Sequence, residues 1–213
     1  MNANFLRGVI AAATLLAGPA AFAATNLISD GDFSTPDQAG TWNVYSPGIN
    51  GWVSANDGIE IGNSPNNYGL PCANAGCQNL EVNANTFGDD YQDISGLTPG
   101  AWYNLAYLYG GRTSGGPDFL DVYFGGQLLT TNGDSIGSWT PNSFLVQATS
   151  STERLEFVSQ DTSGMGGLPS YGNEITNVSL MMVPEASTWT MMIAGFVGLG
   201  VIGARARRRL ATV

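Results

Sequence analysis

The sequence predicts an all-β sandwich or barrel, and three observations carry that prediction. Between the chain ends, short apolar runs alternate with polar residues at a period of two. Turn signals built on Gly, Pro, Asn and Asp separate these runs about every ten residues. No window of about 12 residues in this region keeps helical periodicity free of Gly or Pro. The hydrophobic share of 43% supports one foldable core, while the charged share of 11% is well below the roughly 25% of ordinary soluble domains.

The elements follow in order. Trp42 and Trp52 open the domain and are assigned to the core with Trp139. Cys72 and Cys77 bracket a short Cys-Ala-Asn-Ala-Gly-Cys loop, read as a disulfide that holds the segment from Asn63 to Gln78 as a fixed projection. Asp89, Asp90 and Asp93 form the densest acidic patch, read as a solvated turn with calcium coordination as the alternative. Thr98-Pro99-Gly100 is a turn, and the strand after it places Tyr103, Leu105, Tyr107 and Tyr109 on one face, with Trp102, Asn104, Ala106 and Leu108 on the other. Leu120, Val122 and Phe124 alternate with Asp121 and Tyr123, and Gly125-Gly126 reads as a two-residue hairpin loop into Gln127-Leu128-Leu129. Phe144, Val146 and Ala148 alternate likewise, as do Leu155 and Phe157.

Charge and residue usage exclude several chemistries. All seven basic residues are arginine, the chain holds no histidine, and the stretch from Ala24 to Val183 contains only Arg112 and Arg154 against 16 carboxylates. Such a surface repels phosphate backbones, so no nucleic-acid partner is expected. Without histidine there is no Ser-His-Asp or Cys-His catalysis and no histidine-bound metal. Paired carboxylates or an oxygen-ligated metal are the chemistries left, and no spacing singles out a catalytic pair.

Residues 1–23 read as a secretory signal: Arg7 is the positive region, Val9 to Ala17 the apolar core, and Ala21-Phe22-Ala23 the small-x-small cleavage site. At the other end, Trp189 to Ala204 is a charge-free run followed by Arg205, Arg207, Arg208 and Arg209. It is shorter than the roughly 20 residues of a full span and is read as an apolar helix that engages the inner membrane, with the arginines on the cytoplasmic side. Val183-Pro184-Glu185, Trp189, the Gly-rich apolar segment and the arginine cluster together resemble the PEP-CTERM sorting signal of Gram-negative bacteria. That resemblance implies an exosortase partner, anchoring in the inner membrane before processing, and release to the cell surface or extracellular matrix. Ala186 and Thr190 depart from the common pattern. The resulting division is a signal peptide over 1–23, a β-sandwich domain over 24–182 and a sorting tail with a short transmembrane helix over 183–213.

The central domain carries an ordered set of landmarks: Asn26-Leu27-Ile28-Ser29-Asp30-Gly31-Asp32-Phe33, Gly51-Trp52, Asn79-Leu80-Glu81-Val82, Tyr91 through Gly100 with Tyr103, Trp139-Thr140 and Ile175-Thr176-Asn177-Val178-Ser179-Leu180. In that order they resemble bacterial surface domains related to the galactose-binding-like jelly rolls, the fold of many carbohydrate-binding modules. The resemblance implies a jelly-roll β-sandwich. It also implies a structural calcium held near the paired first and last strands by Asp30, Asp32 and Asn177, although Ser34 and Thr176 stand where acids are more common. No other cofactor is expected.

Sugar rings stack their C–H faces on Trp and Tyr while their hydroxyls bond to amide, carboxylate and guanidinium groups. The ligand candidates are therefore Tyr68, Tyr91, Trp102, Arg112, Asp121, Tyr123 and Tyr171. Arg112 is further open to reading as a surface ion pair. The function expected is that of an exported, non-catalytic protein associating with extracellular polysaccharide. The alternatives are a carboxylate-dependent glycoside hydrolase or lyase, and an adhesive module that recognises protein.

Overall fold

The structure is a computed structural model that describes residues 25–133, 136–184 and 193–199. The chain divides into a β-domain, Ala24–Val183, and a second unit made of Met1–Ala23 and Pro184–Val213. Of the second unit, Pro184 and a helical stretch over 193–199 are described, and Ile193, Phe196, Val197 and Leu199 are exposed on it. No helix among the described residues is long and apolar enough to cross a membrane. The cleavage residues Ala21 and Ala23, the sorting residues Glu185 and Trp189, and the arginines from Arg205 to Arg209 lie outside the described residues.

The β-domain is a jelly-roll sandwich of two antiparallel sheets. Its strands are β1 (Trp42–Tyr45), β2 (Gly48–Ile49), β3 (Trp52–Ser54), β4 (Ile59–Asn63), β5 (Gln78–Glu81), β6 (Asp89–Ser95), β7 (Trp102–Gly111), β8 (Phe119–Phe124), β9 (Gln127–Gly133), β10 (Trp139–Gln147), β11 (Thr152–Ser159) and β12 (Asn173–Met182). The first sheet has the order β1-β4-β5-β12-β7-β10 and the second β2-β3-β6-β11-β8-β9. The first, edge-to-edge order means that chain-distant strands become neighbours, so the faces cannot be assembled from local sequence.

Alternation fixes which side chains enter. Tyr103, Leu105, Tyr107 and Tyr109 of β7 are buried, as are Leu120, Val122 and Phe124 of β8 and Leu155 and Phe157 of β11. Gly125 and Gly126 turn β8 into β9 with φ of 56° and 77°, the left-handed pair that a two-residue hairpin requires. Aromatic rings link the layers: Phe157 meets Tyr107 edge-on at 5.4 Å, and Trp52 packs between Phe33 and Phe157.

The N-terminal segment is stitched to the last strand. Leu27 donates to the Leu180 carbonyl, Val178 to the Gly31 carbonyl, and Asn26 Oδ1 accepts from the Leu180 amide. β12 shifts register between Thr176 and Ser179, where Asn177 has φ of 53°, and this bulge receives Gly31. A Cβ on Gly31 would lie 2.0 Å from the Val178 carbonyl oxygen, so only glycine fits there.

Three readings are corrected. Trp42 is not in the core: its indole is 54% exposed, because β1 is a four-residue edge strand with a partner on one side only. Trp139 is half-buried, while Trp52 is buried as expected. The aspartate patch is no turn, since Asp89 and Asp90 begin β6, whose alternation sends Asp90 inward beside Gln92 and Ile94. Burial drives the Asp90 carboxyl well above the usual carboxylate range.

Candidate functional site

The seven ligand candidates fall into three groups, set by which sheet face their strand alternation presents. Tyr91, Tyr123 and Asp121 lie together on the outer face of the second sheet. In the register of β6, β11 and β8, Tyr91 and Tyr123 both stand opposite Glu156, and Asp121 is one outward position along from Tyr123. Arg154 caps this face at one side. Its guanidinium lies 3.5 Å from the Tyr91 ring centroid and donates to both oxygens of Asp93, at 2.7 and 3.0 Å. These hydrogen bonds hold the Asp93 carboxyl below its ordinary range. The Asp121 carboxylate accepts from Thr131 Oγ1 and Gln160 Nε2.

Trp102 stands apart, on the outer face of the first sheet, with its indole 45% exposed. β7 and β10 carry no charged residue along their whole length. Around Trp102 the paired strands set Gln147 opposite the indole, Asn104 opposite exposed Leu145, and Ala106 opposite Ser143. The result is an uncharged strip with one aromatic ring, amide groups and a hydroxyl, at the free edge of the sheet.

Tyr68, Arg112 and Tyr171 form the third group, in which Tyr68 is buried and Arg112 is tied into an internal ion pair. Residues 64–77 fold back over the outer face of the first sheet and do not project from it. A π-helical turn, Ser64–Tyr68, is capped by Asn63 and closed by Gly69 at φ 73°. The Cys72–Cys77 disulfide closes the segment beyond it. Tyr68 and Leu70 are buried, and a Cβ on Gly62 would collide with the Tyr68 hydroxyl, while one on Gly110 would touch Leu70. Arg112 is no surface ion pair. It donates to both carboxylate oxygens of fully buried Glu81, at 3.0 and 3.1 Å, and to the Asn67 carbonyl at 3.2 Å. Its guanidinium stacks between Tyr171, at 4.1 Å, and Tyr68, at 5.1 Å.

Sequence reasoning missed the partners of Arg112. Cross-strand register sets Glu60 of β4 opposite Glu81 of β5, and Glu81 opposite Glu174 of β12. The three side chains form one row under the 64–77 segment, all buried. The Tyr68 hydroxyl donates to Glu60 Oε1 at 2.9 Å, the Gly172 amide to Glu81 Oε1 at 3.0 Å, and Asn79 Nδ2 to Glu174 Oε2. Glu60 and Glu81 face one another directly in register, and so do Glu81 and Glu174. Burial raises all three carboxyl groups, and mutual repulsion raises Glu81 and Glu174 further.

Asp30, Asp32 and Asn177, expected around a calcium, line one groove of about 410 Å³ with Asn26, Ile28, Gly31, Val178 and Ser179. Asp30 accepts from the Thr35 amide and Asn50 Nδ2, Asp32 from the Ser34 amide, and Asn177 Nδ2 donates to the Ala73 carbonyl. Among the described residues no three His, Cys, Asp or Glu side chains are grouped so as to hold a metal ion.

No protein-family model matches the chain. It is 30% identical over 155 residues to halomucin of Haloquadratum walsbyi and 25% identical over 135 residues to a multifunctional-autoprocessing repeats-in-toxin protein of Vibrio vulnificus. These alignments take in 72% and 63% of the chain, which spans only 2% of each relative's length. Similar solved structures include the C-terminal family 22 carbohydrate-binding module of Clostridium thermocellum Xyn10B, with a TM-score of 0.46 and 10% identity over 69% of this chain and 97% of that one. Another is TmCBM61, solved with β-1,4-galactotriose, with a TM-score of 0.44 and 11% identity over 75% of this chain and 99% of that one.

Proposed function

We propose that the β-domain is a non-catalytic module that binds extracellular polysaccharide through the uncharged strip around Trp102. The observation that carries this reading is the indole itself, 45% exposed on a sheet face with no ionic group on either β7 or β10. Burying so large a ring against a partner is worth more than burying any other side chain of the strip, and a sugar's C–H face offers the matching flat apolar surface. Asn104, Ser143 and Gln147 supply donors and acceptors to fix orientation. The outer face of the second sheet fits less well, because Arg154 already covers Tyr91.

Affinity electrophoresis of the purified domain in gels containing β-1,4-galactan, xylan or the polysaccharide of the producing cells tests this. Trp102→Ala is expected to weaken retention at least about tenfold, the loss of one well-stacked ring, while Tyr123→Ala leaves it within about threefold. Unchanged retention of Trp102→Ala overturns the assignment of the strip. Released reducing ends would favour a carboxylate-dependent hydrolase or lyase, and absence of retention on every polymer would favour a module that recognises protein.

Two further parts complete the proposal. The first is export through residues 1–23 and processing by an exosortase at the tail, supported by the order of Val183, Pro184, Glu185, Trp189 and the arginine cluster. Replacing Pro184 and Glu185 by alanine, in a host that has the processing enzyme, is expected to leave a longer, membrane-held protein by mass spectrometry. Identical mass and location for both forms would reduce the tail to a passive anchor. The second is calcium in the groove at Asp30, Asp32 and Asn177, supported by their convergence there. Saturating calcium is then expected to raise the melting temperature above that in chelator, because a ligand specific to the folded state must do so. Equal melting temperatures remove calcium from the description.

A further inference from the structure

We propose that the row Glu60–Glu81–Glu174 is a proton-operated latch for the segment 64–77, closed when the row holds protons and loosened when it loses them. The inference stands independently of sugar binding, and its test uses no ligand.

The geometry leaves the row short of positive charge. Three carboxyl groups stand directly opposite one another on β4, β5 and β12, where like charges repel, and among the described residues only Arg112 faces them as a cation. The other ionisable groups that bear on the row are Tyr68 from the π-helical turn, Asp57 towards Glu60, and Asp118 towards Glu174, none of them positive. Glu174 Oε1 is buried and has no hydrogen-bond partner. Arg112 compensates one carboxylate, so full ionisation would bury two uncompensated negative charges. The row therefore closes by holding protons.

These same groups hold the segment down. Tyr68 docks by donating to Glu60, and Arg112 joins Glu81 to the Asn67 carbonyl. Asn79 bridges Glu174 to the Ser64 hydroxyl, whose oxygen sits 2.7 Å from Asn79 Oδ1. The sign follows from the direction of the shifts. Carboxyl groups raised above their unfolded values stabilise the closed form at low pH, and that contribution is lost as pH rises through the folded values. The segment covers β4, β5 and β12 and reaches Gly110 at the far end of β7 from Trp102, so opening would uncover that end of the first sheet.

Amide hydrogen exchange of the whole chain, corrected for intrinsic rates, reads the latch. The amides of Ser64, Leu70 and Thr113 bond to Cys77, Ser64 and Tyr68 and report the segment, and those of Leu155 and Phe157 in β11 report the core. From about pH 6 to about pH 9, protection of the segment is expected to fall at least about tenfold relative to β11, one pH unit's worth of a single released proton. The double substitution Glu60→Gln and Glu174→Gln, which fixes both positions neutral, is expected to abolish that relative fall. A segment-to-core ratio that stays constant in the wild type overturns the latch, as does a folded double variant that loses protection in parallel with it. Should the double variant fail to fold, the wild-type series decides alone.

Discussion

Replacing Arg112 by alanine is expected to destabilise the β-domain by about 3 to 5 kcal/mol, the cost of leaving a buried carboxylate without its partner. Glu81 is fully buried, and Arg112 supplies two of its hydrogen bonds and its only positive neighbour among the described residues. Truncation also empties the slot between Tyr68 and Tyr171. The loss depends on pH with a definite sign. Arg112 pulls the Glu81 carboxyl down against the stronger upward push of burial, so without it Glu81 is raised further and takes up a proton. Protonation then relieves part of the cost at low pH, and the full cost is felt where the wild-type pair is ionised. Urea denaturation at pH 5 and at pH 8 is therefore expected to show the larger difference at pH 8. Arg112→Lys keeps the charge but not the planar fork or the stacking, and should fall between the two. A loss below about 1 kcal/mol at pH 8, the value of an exposed pair, would show that the buried ion pair does not hold this face together.

Arg112 also marks where the sequence stopped being legible. The inward stripe Tyr103, Leu105, Tyr107 and Tyr109 could be read directly, because strand alternation is local and strict. The Gly125-Gly126 hairpin and the Cys72–Cys77 bridge were local too, and both are present. The glutamate row was not. Ile59-Glu60-Ile61 and Leu80-Glu81-Val82 each look like a strand with one solvent-facing acid, and so does Glu174 beside Ile175. The faces are as that pattern predicts, with the isoleucines, Leu80 and Val82 turned to the core. What the pattern lacks is the second layer. Burial of the outer face depends on the 64–77 segment folding back over β4, β5 and β12, a tertiary fact with no short-range signal. The same gap explains Tyr68, read as a loop aromatic open to ligand, whereas Trp102 is exposed on the face opposite the inward stripe, as alternation predicts, and no described segment covers its end of the strand. Asp90 failed for a different reason: three aspartates within five residues imitate a turn, and composition outweighed the alternation of Asp90, Gln92 and Ile94.

A loss of comparable size is expected at Trp52. Its indole is 1% exposed, with its ring centroid 5.3 Å from Phe33 and 6.0 Å from Phe157, so one side chain joins the N-terminal segment to the middle of the second sheet. Its Nε1 donates to the Ser29 carbonyl at 3.0 Å, and Gln92 Nε2 donates to the same oxygen at 3.1 Å. Trp52→Ala removes the ring contacts and leaves a cavity that the short strand β3, held by β2 and β6, cannot collapse to fill. The cost is expected at about 3 to 5 kcal/mol by urea denaturation. Trp52→Phe separates packing from hydrogen bonding. It keeps one smaller ring between Phe33 and Phe157 and loses the indole donor with a little ring volume, and the Ser29 carbonyl is still satisfied by Gln92, so roughly 1 to 2 kcal/mol is expected. The two variants should also differ locally. Asp30 and Asp32 follow Ser29 in the chain and line the groove with Asn177, so hydrogen exchange over residues 26–33 should accelerate in Trp52→Ala and stay near wild type in Trp52→Phe. Equal losses in the two variants would assign the stabilisation to the single hydrogen bond to Ser29, and the Phe33–Trp52–Phe157 stack would then not be what fastens the N-terminal segment to the sandwich.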